Sequence, residues 1–416
     1  MNRKILAFAV AASLVAPMAA QADVKLSGAI QAEVNSAQVN EGWEDDADRI
    51  TITKDGEGAS FNGGPNNLAF DIDEKLGNGL SAFARYQVGF NTYSNSGLSN
   101  GKEAYVGLKG SAFHIKFGKM TGVYKGSKGL IDPFAGTSLQ ARGTGGGMSG
   151  STYKCGAASR PVDTNRDSET YNPNGGYTDK AGAVFTETSC SEGIKGYLGK
   201  SSHGQFTHSS YVSDAIELGF GNKKQGFSAT IQGVIDDSSD IDGAGLVELR
   251  YAAPNFTVFA SGAFTDLSVD AVKNTALGDE AEDSFVNWKI GGQFKMAGVK
   301  LGLQYEEAEM GALEGDGVKT ITDINGLKRA AQWGGAYVTG SAEYRWNNVS
   351  LAAWVSGYMS DKEDWWYTDE DALSWSIGAK YHFSKRTMLF AGYRQTDSDN
   401  DYRDENVFSA GVRHKF

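Results

Sequence analysis

The sequence predicts an all-β fold: a 16-stranded, antiparallel, up-and-down β-barrel that crosses a membrane. Three observations lead there. Segments of about ten residues alternate apolar and polar side chains with the period of a strand. Their connections alternate strictly between tight turns and longer, acidic loops, as in strands that run up and down through a bilayer. Glycine is abundant (54) and proline scarce (6), which suits long strands joined by tight turns. No apolar run reaches the roughly 18 residues of a helical span. Mean hydropathy is −0.38, but a barrel escapes that measure because only alternate residues meet lipid.

The elements follow in order. Asn2-Arg3-Lys4, the apolar stretch Ile5 to Ala16 and the small-x-small pattern Ala20-Gln21-Ala22 read as a secretory signal peptide over residues 1–22, cleaved between Ala22 and Asp23. The apolar run is too short to anchor as a spanning helix. Residues 23–416 show no composition break or linker and are expected to form one barrel domain. Val24–Asn35 is the first strand, with Val24, Leu26, Ile30, Ala32 and Val34 on one face and Gln31, Glu33 and Asn35 on the other. After an acidic loop (Glu41, Glu44, Asp45, Asp46, Asp48) come strands near Asn66–Glu74, Gly79–Asn91, Glu103–Lys109 and Ala112–Lys119.

Alternation then stops from Met120 to Thr207. A stretch of that length inside a compact fold is functional more often than not, and it is expected to fold into the barrel as a constriction. Strands resume at His208–Phe220, Gln225–Asp236, Gly243–Ala252, Phe256–Asp266, Asp283–Phe294 and Val299–Glu307. Gln332–Arg345, Val349–Tyr358, Asp371–Phe383, Thr387–Gln395 and Asn406–Phe416 complete the set. Aromatics beside the tight turns (Phe220, Phe227, Tyr251, Phe256, Phe294, Tyr344, Trp346, Tyr381, Phe383) fit a girdle at a membrane interface. Segments Ala181–Thr188 and Ile194–Lys200 within the long loop suggest an extra hairpin; if it joined the wall, the barrel would have 18 strands.

The formal net charge of −12 argues against nucleic acid as a partner. The five histidines stand in no nucleophile–base pattern, no metal-ligand spacing appears, and no phosphate-binding glycine loop joins a strand to a helix. Neither catalysis nor a cofactor is expected. Cys155 and Cys190, both inside the long loop of an exported chain, read as one disulfide, with two free thiols as the alternative.

Rings of charge set ion preference in a narrow aqueous passage. Strand parity turns Arg85, Lys109, Lys116, Arg250, Lys289, Arg345, Arg394 and Arg413 inward, together with Glu33, Asp71, Asp73, Glu103, Glu248, Glu306 and Glu343. Of these, Arg85, Lys116, Arg250, Arg345 and Arg413 are the expected pore-wall residues, with Asp132 as the loop acid facing Arg85 and Lys116. The long loop carries nine Lys/Arg against seven Asp/Glu, which fixes no sign. The acidic outer loops concentrate cations at the mouth and lean the expectation toward cation preference. The same acids suit divalent bridges to lipopolysaccharide.

The run Tyr381-His382-Phe383-Ser384-Lys385-Arg386-Thr387-Met388-Leu389-Phe390-Ala391-Gly392-Tyr393-Arg394 resembles the penultimate hairpin of Gram-negative general porins. The closing stretch Val407 to Phe416 resembles their last strand with its terminal aromatic. Asp23-Val24-Lys25-Leu26-Ser27-Gly28 and Glu103-Ala104-Tyr105-Val106-Gly107-Leu108 also follow that family's habits. Ile131-Asp132-Pro133-Phe134-Ala135-Gly136 is similar to the loop tip that the family places in its constriction. The resemblance implies a homotrimer of barrels in the outer membrane of a Gram-negative bacterium, in contact with lipid and lipopolysaccharide. Each barrel would pass ions and small hydrophilic solutes, with the third long loop bent inward beside a basic wall at Arg85 and Lys116. Two departures stand out: the loop is roughly twice the usual length, and it carries the cysteine pair. A substrate-selective channel using the enlarged loop as binding site, and a barrel plugged by that loop, remain the alternatives.

Overall fold

A computed structural model describes residues 22–40, 46–52, 66–92, 97–98, 102–141, 176–178, 184–186, 211–235, 241–267, 284–309, 334–360, 372–398 and 405–416. The strands are β1 (Asp23–Asn40), β2 (Asp46–Ile52), β3 (Asn67–Gly77), β4 (Leu80–Gly89), β5 (Glu103–Lys109), β6 (Phe113–Thr121), β7 (Gly176–Thr178) and β8 (Val184–Thr186). They continue with β9 (Tyr211–Asn222), β10 (Gln225–Val234), β11 (Ile241–Ala252), β12 (Phe256–Leu267), β13 (Ser284–Met296) and β14 (Val299–Glu309). The last are β15 (Gly334–Trp346), β16 (Val349–Ser360), β17 (Ala372–His382), β18 (Thr387–Ser398) and β19 (Glu405–Lys415).

Sixteen of these close a ring. Each pairs antiparallel with its neighbour in the chain, β6 pairs with β9 across the long loop, and β19 returns to β1. The seam is sealed by the last residue: the N–H of Gly28 donates to the carbonyl of Phe416 and the N–H of Phe416 to that of Gly28, both at 3.1 Å. Closure lets the wall strands pair on both sides, so their backbone polar groups are satisfied largely within the sheet, as a lipid surround demands.

The alternation has the sign of a membrane barrel. On β1, Glu33 is 2 % exposed while Val34 beside it is 51 % exposed; on β10, Thr230 is 1 % and Ile231 51 %. Polar side chains thus point into the barrel and apolar ones away from it, the reverse of a soluble sheet. The aromatics beside the tight turns all point outward and exposed, with Tyr251 against Phe256 and Tyr381 against Phe383. A second outward row sits nearer the long loops: Trp288 against Tyr305, Trp375 against Tyr393, and Tyr393 against Phe408. Roughly seven residues, or about 23 Å of strand, separate the two belts.

Three departures from expectation have plain causes. β1 runs on to Asn40, and part of the acidic segment forms β2, which pairs with Val34 to Asn40 above the point where β3 leaves β1 at Ala29. Between those points the ladder is finished by side chains: Asn66 Oδ1 accepts from the Gln31 N–H at 2.6 Å, and its Nδ2 donates back to the Gln31 carbonyl. The hairpin inside the long loop is β7–β8, a separate two-stranded sheet; the wall therefore closes on sixteen strands and the 18-stranded alternative does not hold. Residues 187–200, which include the second expected hairpin segment, lie outside the described residues.

Candidate functional site

The site is built by residues 122–141, the first part of the long loop, which leave β6 and follow the inner wall. A 3-10 turn (Val123–Ser127) and one helical turn (Lys128–Ile131) begin the path. The Val123 N–H donates to Gln232 Oε1 on β10 at 2.9 Å. The Tyr124 hydroxyl donates to Glu306 on β14 at 2.9 Å, and the Lys289 ammonium of β13 lies 4.1 Å from the centre of its ring. Burial, and after it the adjoining Glu306 carboxylate, push the Tyr124 phenol well above its ordinary pKa. It therefore stays protonated and keeps its role as donor. Further on, Gln293 Nε2 on β13 donates to the Leu130 carbonyl.

An apolar socket takes over. Ile131, Phe134, Leu139 and Ala141 bury against Phe259, Ala352, Trp354 and Phe390, which project inward from β12, β16 and β18. Trp354 Nε1 donates to the Leu139 carbonyl at 2.8 Å. Two glycines make room for the loop and for each other's strand: a Cβ on Gly378 would stand 2.5 Å from the Ala391 carbonyl and 3.0 Å from the Phe134 ring, and one on Gly392 2.6 Å from the Ile377 carbonyl and 2.7 Å from Leu139. The path ends on β19 and β1. Arg413 donates from Nη1 to the Ala135 carbonyl at 3.1 Å and from Nη2 to the Gly136 carbonyl at 2.7 Å, while its Nε holds Gln31 at 2.6 Å. Glu33 Oε1 accepts from the Ser138 N–H at 2.7 Å and from the Ser409 hydroxyl at 2.6 Å.

The described loop thus leans on β10 to β19 and on β1, and leaves the inner face of β3 to β6 uncovered. That face carries paired charges. Arg85 bridges Asp71 at 2.7 Å and Glu103 at 2.8 Å, and Lys109 pairs with Asp73. Glu217 of β9 receives His114 at 2.6 Å and Lys116 at 3.1 Å. Lys116 also lies 4.6 Å from the centre of the Tyr105 ring. On β11, Arg250 is paired with Glu248 at 2.9 Å, beneath Gly126 of the loop.

The expected pore residues therefore scatter. Arg85 and Lys116 share the uncovered face. Arg250 sits under the start of the loop, and Arg413 is a buried clamp. Arg345 is exposed at the tight-turn rim, its Nε donating to the Asn347 carbonyl at 3.1 Å. Asp132 is 4 % exposed and does not face Arg85 or Lys116: its carboxylate accepts from the N–H of Phe134 at 2.8 Å and of Ala141 at 3.1 Å. It caps the loop's own turn. Cys155 and Cys190 lie outside the described residues. Missed in the sequence were the socket residues Phe259, Trp354, Phe390, Gly378 and Gly392. Their signal was there, as aromatics and glycines on the lumen parity of strands that otherwise turn polar side chains inward.

Comparison with known proteins agrees with this geometry. The family model for Gram-negative porins matches residues 7–401. The chain is 23 % identical over 426 residues to the major outer membrane protein P.IB of Neisseria gonorrhoeae, covering 100 % of both chains. Among solved structures it resembles the anion-selective porin from Comamonas acidovorans, with TM-score 0.62, 15 % identity, and 95 % of this chain and 100 % of that one covered. It also resembles the trimer form of OmpT, an outer membrane protein of Vibrio cholerae, with TM-score 0.53, 11 % identity, and coverage of 95 % and 99 %. A closed sixteen-stranded barrel with apolar exterior, charged lumen and in-folded loop, matched over nearly its whole length by that family's model, makes this chain a member of the Gram-negative porins: a channel of the outer membrane.

Proposed function

We propose that the space between the docked loop and the β3–β6 face is a water-filled passage for passive diffusion of ions and small hydrophilic solutes, without turnover or cofactor. One observation supports this reading: the described loop residues are fastened to β10–β19 and β1 by backbone and apolar side chains, and leave Arg85, Lys109 and Lys116 of the opposite face paired beside open space. Arg85 and Lys116 are the pore-wall bases of that passage, with Arg250 at its flank. Arg413 positions the loop rather than facing solute, and Arg345 meets solute at the rim. The channel works as a homotrimer, a reading supported by the trimeric Vibrio relative. Its aromatic belts contact lipid, and its acidic outer loops contact lipopolysaccharide through divalent ions. Asp23 is the mature N-terminus, supported by the start of β1 there, and Cys155 pairs with Cys190 to stiffen the long loop.

Single-channel conductance in a planar bilayer tests the central claim. Stepwise insertion in multiples of three with ohmic, unsaturated current is expected. Small currents saturated by a sugar at micromolar concentration would instead establish a selective channel, and absence of current would make the loop a plug. N-terminal sequencing of the exported protein and alkylation with and without reductant test the cleavage and the disulfide.

A further inference from the structure

We infer that the tight-turn end of the lumen holds a binding site for small oxyanions, carboxylate or phosphate, on solutes passing through. This rests on the open-channel reading above. A cavity of about 490 Å³ lies between the β5–β6 turn, the β9–β10 turn and the root of the loop. Lys109, His114, Lys116, Lys223, Glu217 and Phe83 are among its lining residues.

Formally the ion pairs here nearly cancel, but they do not cancel in space. The side chain of Glu217 is 5 % exposed, and it already accepts from His114, Lys116 and Gln232. That of Glu248 is 1 % exposed, behind Lys223 at 3.0 Å and Arg250 at 2.9 Å. The side chains of Lys223 and Lys109, by contrast, are 40 % and 42 % exposed. A lysine reaches farther from the wall than a glutamate rooted beside it. The Glu217 and Glu248 carboxylates therefore lie against the strands, with Lys223 in front of Glu248 toward the water, while Lys109 and Asp73 are exposed alike.

A charge close to solute acts more strongly than its partner behind it in the wall, 3.0 Å away for Lys223 and Glu248, because the field falls with distance. Asp73, 40 % exposed beside Lys109, is a carboxylate that an incoming anion must compete with. The Phe83 ring, edge-on to Tyr105 and His114, supplies an apolar wall for the carbon skeleton of an organic anion. The site's position at one end makes it asymmetric. Anions arriving from the tight-turn side reach it before the constriction, and those from the other side only after it.

The test uses the full-length protein in a planar bilayer at low salt, with inorganic phosphate or succinate added to one side at a time and glucose as the neutral control. Both oxyanions are expected to block current in a concentration-dependent way, at lower concentration from the tight-turn side, while glucose does not. Lys109→Ala and Lys223→Ala are each expected to raise the half-blocking concentration about tenfold. Lys385→Ala, which removes a positive charge from the same end but outside the cavity, leaves it where it was. Calorimetric titration of phosphate into the detergent-solubilised variants reads the same affinities without requiring insertion.

Conductance without oxyanion block would overturn the site and leave the channel standing. So would block equal from both sides, or equal loss on Lys385→Ala, which would reduce the effect to bulk surface charge. No current from the parent protein would overturn the channel reading and the site with it.

Discussion

Replacing Arg413 with alanine is expected to release the constriction loop while leaving the barrel closed. The guanidinium makes three bonds from a site that is 8 % exposed, two of them to the loop carbonyls of Ala135 and Gly136. A hydrogen bond from a charged donor contributes about 1.5–3 kcal/mol. The two loop bonds share one side chain and are not additive, so about 3 kcal/mol is a fair total for their loss. That multiplies the ratio of undocked to docked loop by about 150-fold. Two measurements read it: open-channel current noise at fixed voltage, and amide exchange across residues 130–141. Both are expected to rise sharply in Arg413→Ala. Arg413→Lys, whose single ammonium has no planar fork to span both carbonyls and Gln31, is expected to fall between. A variant as quiet as the parent, with unchanged exchange in that segment, would refute the clamp and leave the apolar socket as the sole anchor.

Other perturbations test neighbouring parts of the argument. Trp354→Phe keeps the ring in the socket but orphans the Leu139 carbonyl, and is expected to cost about 1–2 kcal/mol, read as faster proteolysis of the loop in the folded barrel. Gly392→Val puts a side chain against both Leu139 and the Ile377 carbonyl of β17; it should displace the loop tip, alter conductance and lower the stability of the β17–β18 wall, read by thermal unfolding. Asp132→Ala removes the acceptor for two buried N–H groups and is expected to destabilise the turn by about 2 kcal/mol. It should do so without shifting the reversal potential, whereas a lumen-facing acid would shift it. Ala297, at φ 48° in the β13–β14 turn beside Gly298 at φ 85°, holds a left-handed conformation that favours asparagine or glycine. Ala297→Asn should therefore raise the urea midpoint, by the equivalent of about 0.5–1 kcal/mol.

The wall was legible because lipid imposes its rule on every strand: Val34, Ile231 and Leu303 must be apolar whatever the lumen does, so the period of two survives the full length. The socket was not legible, because it breaks that rule from inside. Phe259, Trp354 and Phe390 occupy positions that parity assigns to water, and only the presence of the loop explains them. Parity also reports a face without a height. Arg345 points with the lumen set, yet it lies two residues from Asn347 in a tight turn and so ends at the rim. Asp132 failed for a local reason. A carboxylate two residues before a free N–H, here that of Phe134, closes on its own backbone, and the Asp132-Pro133-Phe134 spacing already contained that outcome. The asymmetry of the ion pairs was hidden for a third reason, since a sequence counts charges and does not say which member of a pair stands nearer the water.

The mutual bonds between Gly28 and Phe416 have a consequence in time. The first strand of the chain waits for the last residue to be delivered, so until then β1 and β19 both present open edges, each a template for pairing with another chain. The contact that abolishes them is also the one of greatest sequence separation, and its loop-closure cost falls due only at the end. Insertion of this barrel therefore has a commitment point at its C-terminus. A chain lacking Phe416 keeps its lipid-facing surface, its lumen and the β1–β19 ladder from Ala29–Lys415 to Val39–Glu405, but loses the two bonds to Gly28 that finish the seam at its tight-turn end.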